Sequence, residues 1–421
     1  MFKRTAKPSV SGKQSLTLPT RLIKLFAVLG SIAALGTTAL LALLWEEHRT
    51  EIMLPAPTGH FAVGRTSYWW VNGVQVDDLA PASNEKREVV VWIWYPSAGS
   101  ESAAPAEYLP SPWHEPRARS AGVLLSKFLT RDPAVVHVHS SSDPAISPEQ
   151  KSYPVVIMRP GGSALTTDFT TLAEDLASHG YVVVGFDAPY RSGVVVFPDG
   201  RVVLRSPAAN TDDLSAPGAQ ENFVKRILPM WSRDAQFAAD QLDYLNTADP
   251  SGRFKGRLDL DRLGIFGHSF GGATALQFCH DDSRCKAGID LDGEPLGSMV
   301  KEGPTQPFLF LLSDHGDLSA PEPHKVITDM ESIYNGLPNG RLLLFIRGAN
   351  HFSFSDQILL KSQYFVRALQ RLQRGGLDGP RGLRITTDYV HTFFDVYLRG
   401  APASLLDNIR KAYPEVQAVP R

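Results

Sequence analysis

The sequence predicts an α/β fold in which a mostly parallel sheet is flanked by helices. Two observations predict it: apolar runs of strand length recur along the chain, and helix-forming segments separate them. Runs that are apolar throughout are typical of strands buried on both faces, and their alternation with helices is typical of parallel sheets. The candidate strands lie at 154–158, 180–187, 262–266, 287–291, 307–312 and 341–346. The candidate helices lie at 168–178, 231–245 and 386–398.

An antiparallel start to the sheet is predicted before these units. Residues 66–71 and 89–95 are rich in β-branched and aromatic side chains, and a polar loop separates them. Residues 98–150 are rich in Pro and Ser and give the weakest pattern. We therefore expect one catalytic domain over 61–400, in which 98–150 is a candidate insertion or cap, followed by a C-terminal tail at 401–421.

The composition of the 421 residues is that of a globular protein, with 43% hydrophobic and 20% charged residues. A formal net charge of −2 provides no long-range attraction for nucleic acid. The only two cysteines, Cys279 and Cys285, are too few to complete a structural zinc site. In an exported chain a local disulfide between them is expected, with two buried thiols as the alternative.

The N-terminus predicts a membrane anchor. Residues 1–24 contain six basic side chains and no acidic one, and residues 25–45 form an uncharged apolar run that Glu46 and Glu47 close. As a helix, this run would span about 30 Å, the thickness of a bilayer core. The basic tail should stay in the cytoplasm, which makes 46–60 a linker and places the catalytic domain in a periplasmic or extracellular space. A cleaved signal peptide, which would give a secreted protein, is the alternative.

The strongest chemical motif is the G-x-S-x-G sequence Gly267-His268-Ser269-Phe270-Gly271. The predicted strand 262–266 enters it and a helix-forming run leaves it, which is the setting of a nucleophile elbow. Glycines at the flanks of such a turn avoid collisions, and the start of the following helix favours negative charge. The motif predicts that Ser269 is the nucleophile of an acyl-transfer enzyme.

A serine hydroxyl needs a base to take its proton, and His351 is the best-placed histidine. It follows the predicted strand 341–346 after one short loop. Neither a metal ion nor an organic cofactor is required for this chemistry. His391 lies on the last predicted helix and is expected to pack there.

The acid that orients the imidazole has two candidate places. One is the end of strand 287–291, where Asp290 and Asp292 should point the same way and Asp292 is nearer the rim of the sheet. The other follows the next strand, at Asp314 and Asp317. The residues alone leave both places open.

Several segments resemble the platelet-activating-factor acetylhydrolase family, and together they extend over roughly residues 55–400. The segments that carry the resemblance are 267–275 (GHSFGGATA), 285–292 (CKAGIDLD), 58–64 (TGHFAVG), 175–180 (DLASHG), 191–192 (RS) and 348–351 (GANH). The resemblance implies an α/β-hydrolase fold. It also implies a calcium-independent carboxylic ester hydrolase that cleaves short or oxidised acyl chains from phospholipids or similar small esters.

The resemblance also implies roles for individual residues. The family places its acid after the strand that follows the nucleophile helix, which favours Asp292 over Asp317. It implies an oxyanion hole formed by the backbone N–H groups of Phe270 and Gly162. Family enzymes carry His-Gly-Leu-Gly where this chain has 160–163 (PGGS). A backbone N–H group does not depend on its side chain, so the departure leaves the expected donors in place. It affects instead the shape of the pocket that the family implies.

Two other functions remain open at this point. A general or polyester-type esterase would use the same elbow, and the loops at 98–150 and 193–225 would decide how open its cleft is. A catalytically inactive binding protein could share the fold, since fold alone does not imply function. The expected partners are an ester substrate, lipid or small, and a membrane through the N-terminal helix, with no nucleic acid and no metal.

Overall fold

In this computed structural model, the described parts of the chain are residues 20–99, 103–209, 218–297, 299–316, 321–337, 341–372 and 376–419. The strands are β1 (Ile52–Met53), β2 (Ala62–Val76), β3 (Lys86–Ser97), β4 (Pro105–Glu107), β5 (Val136–Ser142), β6 (Tyr153–Arg159), β7 (Val182–Asp187), β8 (Val194–Val196), β9 (Val202–Leu204), β10 (Leu258–His268), β11 (Cys285–Leu291), β12 (Phe308–Leu312), β13 (Arg341–Ile346) and β14 (Val416–Ala418). The helices are α1 (Thr20–Arg49), α2 (His114–Ala121), α3 (Val123–Lys127), α4 (Thr170–Ser178), α5 (Ala219–Ala248), α6 (Phe270–Asp281), α7 (Met299–Glu302), α8 (Pro321–Gly336), α9 (Gln357–Leu360), α10 (Gln363–Leu372), α11 (Gly379–Arg399) and α12 (Ser404–Ala412).

One large sheet forms the centre of the protein. Its strand order is β1-β5-β2-β3-β7-β6-β10-β11-β12-β13-β14, and β4 pairs with β5 at one edge. In the part of this order that extends from β7 through β6, β10, β11 and β12 to β13, each strand is parallel to the next. The predicted antiparallel start is present, because β2 and β3 pair antiparallel and β3 continues antiparallel onto β7. The predicted α/β class and the six predicted parallel strands are confirmed.

Helices cover both faces of this sheet, which explains why its strands are apolar throughout. Along β6, Val156 and Met158 face a core shared with α4 and α11. Val155 and Ile157 face the opposite core, shared with α5, α6 and α8. Successive residues of a strand point to opposite faces, so a strand buried on both sides needs apolar residues at every position.

The predicted membrane helix is longer than the apolar run alone. α1 extends from Thr20 to Arg49, and it is the one helix among the described residues long and apolar enough to cross a membrane. Its last turn contacts the globular body: His48 is 3% exposed, and its Nδ1 donates to the carbonyl of Thr130 at 2.7 Å. The Glu47 carboxylate accepts hydrogen bonds from Ser362 Oγ at 2.5 Å and from the backbone N–H of Gln363 at 2.8 Å.

Three segments that the sequence set apart from the sheet contribute strands to it. β1 lies in the expected linker 46–60 and pairs with β5, which itself lies in the expected insertion 98–150. β14 lies in the expected tail 401–421 and pairs with β13. Strands of two or three residues, such as β1 and β14, are too short to show a periodic pattern, so the sequence did not reveal them. The boundaries of the catalytic domain remain a prediction.

Cys279 and Cys285 are joined by a disulfide in the structure, with their Cα atoms 5.0 Å apart. Cys279 lies in the last turns of α6 and Cys285 begins β11. Both side chains are buried in the core between the sheet and the α5–α6 layer.

Buried ion pairs connect β3, the segment after β2, the loop after β7 and α5. Arg87 at the start of β3 and Arg191 in the loop after β7 both pair with Asp234 of α5. Arg191 also forms a two-pronged pair with Asp77 after β2, at 2.8 and 3.0 Å. All four side chains are at most 2% exposed in these pairs. Two guanidinium groups therefore depend on the charge of Asp234.

We predict that Asp234→Asn destabilises the protein by about 3–5 kcal/mol, because it leaves buried guanidinium groups without full compensation. Urea unfolding of the detergent-solubilised protein, followed by tryptophan fluorescence, measures this change. Asp240→Asn, on the same helix, removes an exposed pair with Arg284 and should cost less than about 1 kcal/mol. Equal unfolding midpoints for the two variants would contradict the prediction.

Candidate active site

Ser269 occupies a sharp turn between β10 and α6. Its backbone has φ 56° and ψ −126°, a conformation that costs energy for a residue with a side chain and that is typical of a nucleophile elbow. Both flanking glycines are required by contacts: a Cβ on Gly267 would lie 1.9 Å from the carbonyl oxygen of Gly271, and a Cβ on Gly271 would lie 2.1 Å from that of Arg159. The two glycines of the motif therefore permit the turn that exposes Ser269 at the start of α6.

His351 and Asp292 form a close pair at the same edge of the sheet. His351 begins a short 3₁₀ segment, His351–Phe354, after β13, and Asp292 follows β11 with φ 54°. His351 Nδ1 donates to Asp292 Oδ2 at 2.6 Å. The Asp292 carboxylate is only 1% exposed, whereas the His351 side chain is 46% exposed. The buried carboxylate of Asp292 thus orients the ring of His351, and that ring is partly open to solvent.

The charge of Asp292 is stabilised by its hydrogen bonds. Burial alone would raise its pKa, but hydrogen bonds from His315 and His351 outweigh burial and hold the pKa well below the usual range. Carboxylates that accept several hydrogen bonds behave in this way. Asp292 is therefore an anion at any pH near neutrality.

His268, the second residue of the motif, supports His351 directly. Its Nε2 is 2.9 Å from the backbone carbonyl of His351, and the two rings lie 4.3 Å apart with their planes inclined by 39°. Burial lowers the pKa of His268 to about 3, and the neighbouring His351 adds to this effect. A neutral His268 ring that donates to this carbonyl fixes the position of His351 beside the elbow.

The hydroxyl of Ser269 forms no hydrogen bond with His351 in the part of the chain that the structure describes. Ser269 is nevertheless next to both partners of His351. It follows His268 directly, and its backbone N–H donates to the carbonyl of Leu291, the residue before Asp292, at 2.9 Å. Hydrogen bonds of this kind are often long in ligand-free enzymes and tighten when substrate binds. The structure brings His351 and Asp292 together and places Ser269 on the adjoining turn.

The other candidate acids have different environments. Asp290 is fully buried under α6, where it accepts a 2.7 Å hydrogen bond from the Gly293 N–H, and burial raises its pKa well above the usual value. The expectation that Asp290 and Asp292 share a direction does not apply, because β11 ends at Leu291. Asp314 accepts from the backbone N–H groups of Gly316 and Gly348. Asp317 lies outside the described residues.

The two expected oxyanion donors lie on either side of the elbow. Phe270 begins α6, and Gly162, with φ 46°, lies in the turn after β6. Neither backbone N–H donates to an acceptor within the described ranges. A Cβ on Gly161 would lie 2.5 Å from the Cβ of Ser269, which shows how closely this turn approaches the nucleophile. The Gly162 carbonyl accepts from Arg205 at 2.6 Å, which holds the turn from behind.

His315 is a site residue that sequence reasoning missed. Its Nε2 lies 3.2 Å from Asp292 Oδ1, on the carboxylate oxygen that His351 does not use. The same oxygen accepts from the backbone N–H of Ser313 at 2.7 Å. The only signal was its place in the loop after β12, one residue from Asp314, which was itself considered as the acid.

Asp175, His179 and His391 form a second cluster, with potential metal-ligand atoms within 4.8 Å of one another. His391 Nδ1 donates to Asp175 Oδ2 at 2.8 Å, and the Thr58 hydroxyl donates to Asp175 Oδ1 at 2.8 Å. The rings of His179 and His391 are stacked 4.1 Å apart at 19°. A metal lies near the plane of each ligating ring, so two rings stacked face to face cannot both bind one ion without turning. We interpret the cluster as a hydrogen-bonded junction between α4, α11 and the segment before β2.

Comparisons with known proteins agree with the resemblance noted in the sequence. The protein is 27% identical over 289 residues to a probable 1-alkyl-2-acetylglycerophosphocholine esterase of Arthroderma benhamiae, covering 62% of this chain and 65% of the relative. It is 26% identical over 223 residues to the platelet-activating factor acetylhydrolase of Cavia porcellus, covering 49% of each chain. It is also 25% identical over 225 residues to cutinase est1 of Thermobifida alba, covering 53% of this chain and 62% of the cutinase. The chain thus spans less than two thirds of the length of these relatives.

A solved structure and a family model cover more of the chain. The ferulic acid esterase from Streptomyces cinnamoneus superposes with a TM-score of 0.69 at 29% identity, covering 88% of this chain and all of that esterase. The sheet order, the flanking helices and this likeness are those of an α/β-hydrolase fold. The family model described as platelet-activating factor acetylhydrolase, isoform II matches residues 47–197 and 240–400. The chain therefore belongs to the platelet-activating factor acetylhydrolase, isoform II family.

Proposed function

We propose that this protein is a serine carboxylic ester hydrolase that works through an acyl-enzyme, with Ser269 as nucleophile, His351 as general base and Asp292 as the acid. One observation carries the proposal: a buried carboxylate holds the His351 ring through a 2.6 Å hydrogen bond beside a serine in a strained elbow. A buried anion on Nδ1 leaves Nε2 as the proton acceptor and stabilises the imidazolium that forms. The esterases and acetylhydrolases among its relatives support the same reaction class.

The proposed reaction has two halves. Ser269 Oγ attacks the ester carbonyl while His351 Nε2 takes its proton, and the oxyanion accepts hydrogen bonds from the backbone N–H groups of Phe270 and Gly162. His351 then gives the proton to the departing alcohol. Water, deprotonated by His351, then attacks the carbonyl of the acyl-enzyme. The bond to Ser269 Oγ breaks, His351 returns the proton to Oγ, and the carboxylic acid leaves. Each oxyanion donor contributes a factor of about 10²–10³ in rate.

The proposed substrates are phospholipids with short or oxidised acyl chains, or similar small esters. The family supports this class, and so does the wall of the site on the α5 side. The Phe270 ring packs edge-to-face against Trp231 and Phe223, with ring centroids 4.9 and 5.9 Å apart, and we propose that these aromatic side chains limit the length of the acyl chain. The cutinase and ferulic acid esterase relatives favour a second candidate, a general esterase that accepts soluble or polymeric esters.

We also propose that α1 is a retained signal-anchor, with the catalytic domain on the exported side. Support comes from the C-terminal end of the apolar run, where Leu44 is buried against the body and the Trp45 ring lies 6.2 Å from that of Phe128. Cleavage at the end of the run would remove these two contacts. A retained anchor would also hold the site near lipid substrates.

We predict that Ser269→Ala and His351→Gln each lower kcat for p-nitrophenyl acetate by about 10³-fold or more, because each removes a group that acts in the transition state. Initial rates of the full-length protein in detergent micelles measure the effect. Ser283→Ala and His280→Gln, which change the same residue types away from the elbow, serve as matched controls. Hydrolysis by Ser269→Ala within threefold of an enzymatic wild-type rate would refute Ser269 as the nucleophile. A wild-type rate no higher than that of buffer would instead favour the inactive binding protein.

We further predict that kcat/KM falls by about 100-fold or more as the sn-2 acyl chain of a phosphatidylcholine lengthens from acetyl to palmitoyl. A closed acyl pocket loses roughly 1–3 kcal/mol for a methylene that it cannot accommodate. The measurement is a series of chain lengths presented in micelles of one detergent, with p-nitrophenyl esters of the same acids as a soluble control. Equal rates across both series would favour the general esterase.

A further inference from the structure

The carboxylate of Asp292 is shared between two histidines on separate loops. His351 contacts Oδ2 at 2.6 Å and His315 contacts Oδ1 at 3.2 Å. The carboxylate is 1% exposed, whereas the His315 side chain is 42% exposed. One buried negative charge thus faces two rings that can each gain a proton from solvent.

The loop that contains His315 is hydrogen-bonded to the loop that contains His351. The Asp314 carboxylate accepts from the backbone N–H of Gly316 at 3.0 Å and from that of Gly348 at 2.8 Å. The backbone N–H of Asp314 donates to the carbonyl of Ala349 at 3.0 Å. The two bonds with Gly348 and Ala349 tie the His315 loop to the residues just before His351, and the bond from Gly316 lies within the His315 loop itself.

Among the described residues, the carboxylates that act on the His315 ring are those of Asp292 and Asp314. A small cavity beside the ring is lined on the remaining sides by Ile327, Phe345 and Val419, so α8, β13 and the C-terminal segment present apolar groups. Ser313 already supplies a backbone donor to Oδ1. Asp292 Oδ1 therefore keeps a hydrogen-bond donor without His315. The distinct contribution of His315 is the positive charge of its protonated ring.

We propose that His315 is a positioning residue that competes with His351 for the negative charge of Asp292 and thereby sets the lower pH limit of ester hydrolysis. The inference rests on the proposed function, since it assigns Asp292 and His351 to the reaction.

The sign of the effect follows from the charges. The hydrogen bond to Asp292 raises the pKa of His315 above its usual 6.5, so this ring keeps its proton to higher pH than a free imidazole does. A positive His315 on the shared carboxylate opposes a second positive charge beside it, because the two charges repel and divide one anion. Ester hydrolysis should therefore continue to lower pH than it would if His351 were the only ring on Asp292.

The test compares His315→Gln and His315→Leu with the wild type in the pH profile of kcat/KM, using the full-length protein in detergent and p-nitrophenyl acetate. Both variants remove the charge, whereas Gln can still donate to Oδ1. We expect the acidic limb of both profiles to move upward by about half a pH unit or more. His280→Gln, the same change at an exposed histidine away from Asp292, should keep the wild-type midpoint. A limb that stays in place in both variants, or that moves only for Leu, overturns the inference, because the second pattern is that of a hydrogen bond alone.

A second measurement separates this inference from the proposed function. The ¹³Cε1 signal of His315, assigned by its loss in His315→Gln, reports the protonation of this ring without any turnover. We expect its titration midpoint to fall by about one pH unit in Asp292→Asn, since the anion is removed. An unchanged midpoint refutes the sharing of Asp292 even in an active enzyme. Absence of ester hydrolysis in the wild type, with the midpoint shifting as expected, would instead refute the proposed function.

Discussion

The hydrogen bond between His351 and Asp292 is the interaction on which the site depends. It joins the turn after β11 to the turn after β13, two strands that are separated in the sheet by β12. Because the carboxyl ends of parallel strands meet at one edge of the sheet, residues that are 59 positions apart in the chain come within 2.6 Å. The pairing of these strands through β12 therefore fixes the distance between His351 and Asp292, the proposed base and acid, and a change in its register would separate them.

The opposite wall of the site depends on a different constraint. The turn at 160–163 approaches the elbow so closely that Gly161 has no room for a side chain. Behind it, Gly193 donates to the carbonyl of Ser163 at 3.2 Å, and Gly193 follows Arg191 by two residues. Arg191 is bound to Asp77 and Asp234 in the buried ion-pair network. Buried charges far from the elbow thus hold the loop that supports the expected oxyanion donor, which connects the stability of the fold to the geometry of the site.

The sequence predicted what depends on local pattern. The parallel strands were visible because each contains a run of apolar residues, and the elbow was visible because its glycines and serine form a short local motif, Gly267-His268-Ser269-Phe270-Gly271. Contacts between distant segments left no such pattern. β14 pairs with β13 through only three residues, and His48 at the end of α1 donates a hydrogen bond to a carbonyl 82 positions away. The contact of His315 with Asp292 is of the same kind, since a single histidine in a polar loop looks like a solvated turn.

Asp290 and Asp292 show why the acid could not be chosen from the residues alone. They are two positions apart and equally buried by the fold, yet their pKa values move in opposite directions. Asp290 accepts one hydrogen bond, from Gly293, and in the part of the chain that the structure describes its Oδ2 has no partner, so burial dominates and favours the neutral acid. Asp292 receives His351, His315 and the Ser313 N–H, and these donors outweigh burial. The difference lies in the number of hydrogen-bond donors that neighbouring loops place beside each carboxylate. Burial thus favours the neutral form of Asp290 beneath α6, whereas the hydrogen bonds to Asp292 favour the anion that contacts His351.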